Sequence, residues 1–280
     1  MAQKTMTAAG NAQIDTAQSK FGGASGLFPG ASGDYVSTPD SADFDFSASD
    51  GTIDFWIYIN AWPSVAGQII GQHAVNNDAN WHIYIYGVAD ARGSVAIGKH
   101  GSSELKTGNG LLSLSTWQHV AVTRTNSTST TKIYVDGVEG ASGTGAYWND
   151  ASTDLVLGKQ TTGVGPFNGW LDEVIMTKGV VRWTGDFTPP TAAYGYSASN
   201  VLLLHCDGID GSTTFTDDSA TTGSSFSPSI SPSISPSVSP SASLSPSISP
   251  SISPSISPSI SPSVSPSASL SPSLSPSISP

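Results

Sequence analysis

Positive charge is scarce in this chain: 10 of 280 residues are Lys or Arg, against 21 Asp or Glu, for a formal net charge of -11. Nucleic acids are held largely through neutralised phosphates, so an acidic chain with scattered basic residues is not built for them. The single cysteine, Cys206, excludes an internal disulfide framework and a cysteine-rich zinc site. No apolar run approaches the roughly 18 residues of a membrane-spanning helix. The opening MAQKTMTAAG lacks the apolar region of a secretory signal. The chain is therefore expected to be cytoplasmic as made, processed upstream of this numbering, or exported by another route.

Residues 227–280 lack charge, aromatics and glycine altogether. Every odd position there is Ser and every even one is Pro or aliphatic, in a Ser-Pro-Ser-aliphatic unit broken at Ala242-Ser-Leu244 and Ala268-Ser-Leu270. Proline at this density forbids a helix and removes ladder donors from any strand. The expected geometry is extended or polyproline II, at about 3.1 Å per residue, giving a stalk of roughly 170 Å. Three readings stay open. The tail is a plain spacer, a scaffold for O-linked glycans, or a segment that packs laterally in a fibre. Ser229, Ser233, Ser237, Ser247, Ser251 and Ser255 are candidate O-glycosylation positions.

The remaining 226 residues hold every charge and every aromatic ring, enough chain for one sizeable core. Helix formers are few, and Asp, Asn and Gly favour turns. Residues 51–59, Gly-Thr-Ile-Asp-Phe-Trp-Ile-Tyr-Ile, alternate with period two, Ile53, Phe55, Ile57 and Ile59 opposing Thr52, Asp54, Trp56 and Tyr58. Further strands are expected at 68–70, 81–86, 94–97, 117–124, 132–135, 154–157 and 170–176. Asp136-Gly137 signals a two-residue hairpin. Short strands with Gly-rich punctuation and no intervening helices mean a sandwich or barrel.

Four successive segments carry a family resemblance: Thr116-Trp-Gln-His-Val-Ala-Val-Thr-Arg124, Ile133-Tyr-Val-Asp-Gly-Val138, Leu155-Val-Leu-Gly158 and Phe167-Asn-Gly-Trp-Leu-Asp-Glu-Val174. With Thr52-Ile-Asp-Phe-Trp-Ile57 before them, they resemble the signatures of laminin-G-like, concanavalin A-like jelly-roll domains over roughly residues 25–190. The resemblance implies an all-β, two-sheet antiparallel jelly-roll sandwich with ligands met at a concave face or rim loops. Domains of this kind are common in phage virion and bacterial surface proteins.

One segment departs from the family order. Residues 201–215, VLLLHCDGIDGSTTF, look like the opener of such a domain but follow it. The segment folds back in cis, begins a second copy, or completes the sheet of a neighbouring chain. An unpaired Val-Leu-Leu-Leu edge is an aggregation hazard, so some partner is expected. The expected organisation is a jelly roll at 1–199, an extra strand segment at 200–226 and the extended low-complexity stalk at 227–280.

Enzyme chemistry finds little support. Hydrolases that share the fold place two glutamates close together on one strand, whereas Glu104, Glu139 and Glu173 are far apart. Asp172 and Glu173, as strand neighbours, are expected to face opposite sides. Either one reads most simply as an acceptor for backbone or loop donors. His119 reads as a strand-packing residue and Cys206 as a small buried hydrophobe. No catalytic residue is assigned.

Sugar binding needs rings to stack on a pyranose and polar groups to fix its hydroxyls. Candidates are His82, Tyr84 and Tyr86 on one side of a strand, and Tyr147-Trp148 beside Asn149 in a loop. Trp56, Trp117 and Trp170 are assigned to the core because they lie inside strand signatures. No cofactor is called for, with calcium left open at Asp78, Asp150, Asp207 and Asp210, residues that serve equally as turn formers. Asn126-Ser-Thr128 is a glycosylation sequon, meaningful only in a eukaryotic secretory pathway.

The expected function is that of a non-enzymatic structural or adhesive protein, a virion appendage or cell-surface component. Its partners would be surface glycan or neighbouring subunits, as a homo-oligomer or filament, with no membrane insertion. The alternative is a fibre-forming glycoprotein built on the repeat tail. A glycoside hydrolase is a distant third.

Overall fold

A computed structural model describes residues 2–72, 81–99, 103–145, 147–148, 152–158 and 165–220. Among these lie β1 (Thr7–Ala9), β2 (Gln13–Asp15), β3 (Ser25–Pro29), β4 (Tyr35–Thr38), β5 (Gly51–Ala61), β6 (Ala66–Gln72), β7 (Trp81–Tyr86) and β8 (Val95–Lys99). They are followed by β9 (Ser103–Lys106), β10 (Trp117–Thr125), β11 (Thr130–Val135), β12 (Val138–Thr144), β13 (Leu155–Leu157), β14 (Asn168–Lys178) and β15 (Asn200–Leu204). The strands form two antiparallel sheets. One runs β1-β4-β13-β6-β7-β8-β9, and the other runs β12-β11-β10-β5-β14-β3-β2, with β15 also paired to β14. No helix of the described residues is long and apolar enough to cross a membrane.

The period of two in β5 produces its packing. Ile53, Phe55, Ile57 and Ile59 enter the core between the sheets with Val120, Val122, Leu171, Val174 and Met176, opposite Ile70, Trp81, Ile83, Ile85, Val95 and Ile97. At the hairpin between β11 and β12, Asp136 and Gly137 both have positive φ, 50° and 80°, as a primed turn needs. A side chain on Gly137 would lie 1.9 Å from the Phe187 carbonyl oxygen, so the turn also requires glycine for close approach.

The 201–215 segment lies in cis. β15 pairs antiparallel with Val174–Thr177 of β14, while β3 pairs with Asn168–Leu171, so the two strands share one edge of β14 end to end. The far edge of β15 is capped within the chain: Leu203 N donates to Asp217 Oδ1 at 3.0 Å and Asp218 N donates to the Leu203 carbonyl at 2.8 Å. Asp217 also accepts from Lys4 N at 2.7 Å, tying the N-terminus to the same place.

Between the β3 and β15 pairings, β14 bulges. Asp172 pairs with Trp56 but Ile175 pairs with Asp54, so β14 carries one residue more than β5, and Glu173 has φ 51°. This overturns the expectation that Asp172 and Glu173 face opposite sides. Leu171 and Val174 both enter the core, and both carboxylates point away from it.

Candidate functional site: an aromatic row across the outer face of a sheet

The outward face of the β5 sheet has two halves. Over one half runs a strap, residues 180–199. Arg182 N donates to Thr52 Oγ1 at 3.0 Å, Phe187 N to the Gly137 carbonyl at 2.8 Å, and Tyr194 N to Glu173 Oε2 at 2.6 Å. Beneath it lies a buried polar network. Asp54 accepts from the Tyr194 hydroxyl, sits 3.2 Å from His119 Nε2, and has Arg182 at 3.7 Å. His119 fills the space between Trp56, Trp183 and Phe187, as its strand-packing role requires. Glu173 Oε1 meets His205 Nδ1 at 2.7 Å. Burial alone would pull the His205 pKa down, but its hydrogen bond to Glu173 and the surrounding carboxylates hold it above the ordinary value.

The other half of the face carries aromatic rings. Trp117 of β10 and Trp170 of β14 are both register partners of Tyr58 on β5. The row continues through Leu27 on β3, opposite Trp170, to Gln13 on β2. All five side chains are half-buried and face away from the core. Tyr58 meets both indoles edge to face, with centroids 5.7 Å from Trp117 and 5.4 Å from Trp170. The Trp170 indole N–H donates to Asp15 Oδ1 at 3.2 Å. Along one flank, Asn60 Nδ2 donates to Asn168 Oδ1 at 2.9 Å, placing two amides beside the rings. Along the other, Lys20 lies 3.7 Å over the Trp56 ring.

One step down the same strands, Asp172 Oδ2 accepts from Lys20 N at 2.8 Å and Phe21 N at 3.1 Å, anchoring the loop that leads away from β2. Burial pushes its pKa up to about 8, against the lowering effect of those two N–H groups. Among the described residues, Asp172 Oδ1 and Trp56 Nε1 are buried without a hydrogen-bond partner.

Trp117 and Trp170 thus depart from their core assignment. They lie on strands but at outward positions, and Trp56, though buried, packs under Lys20 and Phe21 rather than between the sheets. Alternation around Ile57 and Leu171 was the available signal, since a residue next to a core residue points outward.

The other proposed platforms fare differently. His82, Tyr84 and Tyr86 share the outward face of β7, but Tyr84 is 1% and Tyr86 8% exposed. Both phenols donate to Glu104, Tyr86 at 2.9 Å and 3.0 Å to its two oxygens, and Lys106 lies 4.9 Å over the Tyr86 ring. Burial, then the Glu104 hydrogen bond and charge, push the Tyr86 pKa up to about 12. The stripe therefore offers no open ring face: Glu104 on the edge strand β9, two strands away across β8, draws in its hydroxyls.

Trp148 leaves the loop pair for the core. It is 1% exposed, packs on Phe46 and Trp81, and donates Nε1 to Thr131 Oγ1 at 2.9 Å. An indole so placed cannot stack on a ligand. Tyr147 is half-buried against that core, and Asn149 lies outside the described residues.

Among the described residues no cluster of His, Cys, Asp and Glu is placed to hold a metal. Asp210 accepts from Thr16 N at 3.0 Å, tying its turn to the segment just after β2. Asp207 lies directly under Gly22, where a side chain would come within 1.8 Å of its carboxylate. Asp78, Asp150 and the tail serines from Ser229 to Ser255 lie outside the described residues. Cys206 is buried, and burial pushes its thiol pKa well up.

Residues 30–182 match the family model of the concanavalin A-like lectin/glucanases superfamily, Laminin_G_3. The chain belongs to that family. No curated protein matches it. Among solved structures, a candidate carbohydrate binding protein from Bacteroides ovatus is similar at 18% identity and TM-score 0.51, over 74% of this chain and 53% of that one. The chain thus spans about half the length of that relative. Domain 4 of AbnA, an extracellular arabinanase of Geobacillus stearothermophilus solved with arabinotriose, is similar at 17% identity and TM-score 0.46, over 63% and 82% of the two chains. A pentraxin from Limulus polyphemus follows at 16% and 0.37, over 55% and 77%. At these identities the likeness is one of fold.

Proposed function

We propose that this concanavalin A-like domain is a non-enzymatic glycan-binding module, carried on the Ser/Pro tail as a spacer at a virion or cell surface. The observation that carries the reading is the half-exposed row Trp117–Tyr58–Trp170, flanked by the Asn60–Asn168 amide pair. Rings of this kind stack on the apolar face of a pyranose while amides bond its hydroxyls. The carbohydrate-binding proteins among the fold's relatives support the same reading. The buried carboxylates Asp172 and Glu173 bond to backbone and His205, which supports a structural role for them rather than a hydrolytic one.

A glycan array probed with the full chain, with and without calcium, tests the proposal. Binding that disappears in Trp170→Ala is the expected result, and an array blank under both conditions overturns it. A second reading, a glycan-coated fibre, is favoured by the serine at every second tail position. Intact mass from the natural source decides it: a value equal to the 28.6 kDa of the sequence removes this reading.

A further inference from the structure

We infer that the row reads an internal stretch of a linear, uncharged polysaccharide lying across the strands, rather than a chain end or an anionic glycan. The inference rests on the glycan-binding reading above and adds the ligand class. Its first support is direction. Trp117, Tyr58, Trp170, Leu27 and Gln13 occupy one register line over five adjacent strands, so the half-exposed surface runs perpendicular to the strands. Adjacent strands lie about 4.8 Å apart, close to the advance of one sugar along an extended chain, so the line offers roughly one contact per sugar and spans about 19 Å.

Its second support is the absence of an end wall among these five residues. All are half-buried side chains on the open face of a sheet, and the strap's hydrogen bonds fall on the other half, at Thr52, Gly137 and Glu173. A chain end needs a pocket that closes around it, and three rings continued by Leu27 and Gln13 along a sheet face do not supply one.

Charge gives the third support. Beside the row, the Asp15 carboxylate accepts from Trp170 and from Ala17 N at 2.8 Å, and the Lys20 ammonium lies on an aromatic face. Both of these charges are engaged, and the nearby Asp172 carboxyl is buried and held by Lys20 N and Phe21 N. The chain as a whole carries a net charge of -11, which repels uronate or sulfate polymers.

The test is calorimetric titration of the full chain with β-1,4-glucan, β-1,4-xylan and α-1,5-arabinan oligomers, from monosaccharide to hexasaccharide. Polygalacturonate serves as the anionic probe. Affinity for one neutral series is expected to climb by roughly tenfold or more from the disaccharide to the tetrasaccharide and then level off, with Trp117→Ala and Trp170→Ala each costing about tenfold. Trp170→Phe, which keeps an apolar ring, should fold like the parent and lose less.

A monosaccharide that binds as tightly as the tetrasaccharide overturns the internal-chain inference while leaving glycan binding intact. Tighter binding of polygalacturonate overturns the uncharged class. If no sugar binds and Trp117→Ala instead breaks a self-associated form, the row is a contact between copies, and both the inference and the reading beneath it fall.

Discussion

Trp170 reaches across β3 to Asp15, its indole N–H donating to a carboxylate two strands away at 3.2 Å. That bond fixes the ring at the centre of the row before any ligand arrives, and a preset ring loses less freedom on binding. Asp15→Ala should therefore weaken sugar binding by about 1 kcal/mol, roughly fivefold, with little change in thermal midpoint. Calorimetry beside a melting curve checks it. Equal affinity in the variant would show that the bond does not organise the site.

The two classes of tryptophan should separate in stability. Trp148 is buried in the core with its N–H bonded to Thr131. Trp148→Ala should cost about 3–5 kcal/mol in urea unfolding. Trp117 is half-exposed on the outward face, and Trp117→Ala should cost about 1 kcal/mol. The reverse order would put Trp117 in the core after all.

Strand positions were readable because period two is set by burial, and β5, β7, β10, β11 and β14 fall close to the expected segments. The outward placement of Trp117 and Trp170 followed from the same rule, but an aromatic residue in a strand signature looks the same whichever way it points. Long-range partners are a different matter. Nothing near Tyr84 in the sequence says that Glu104 will cover it, and nothing near Trp148 says that its loop turns into the core. The bulge at Glu173 was equally hidden, because it is a register shift of β14 against β5, a partner more than a hundred residues away in the sequence.

Buried carboxyl and imidazole groups should make stability depend on pH. The Asp172 pKa is raised by burial to about 8 from an ordinary 3.8, so the folded state binds this proton more tightly than the unfolded state. Its contribution is fully present below about pH 4 and is lost as pH rises towards 8. His205, also raised, adds stability at pH values below its ordinary value of 6.5 that is lost as pH climbs past its folded value. Urea midpoints should therefore fall as pH rises from about 4 to 8, and Asp172→Asn should flatten that decline. An unchanged slope in that variant would mean that Asp172 titrates normally.

Asp217 is expected to protect a sheet edge. Its carboxylate accepts from Leu203 N, Lys4 N and Ser219 N. Asp217→Ala leaves these donors without it, and a loss of about 2–4 kcal/mol is expected together with self-association through the bared β15 edge. Gel filtration and urea unfolding read both effects. A variant that stays monomeric and as stable as the parent would show that the edge needs no cap.

The central claim is that glycan lies on Trp117 and Trp170, and fluorine NMR of the full chain labelled with 5-fluorotryptophan tests it most directly. Each of the seven tryptophans gives its own resonance, assigned by single Trp→Phe variants. On adding the oligosaccharide that binds best, the Trp117 and Trp170 resonances should move while those of Trp81 and Trp148 stay in place. Saturating ligand that leaves Trp117 and Trp170 unmoved would contradict the account and put the sugar elsewhere on the domain.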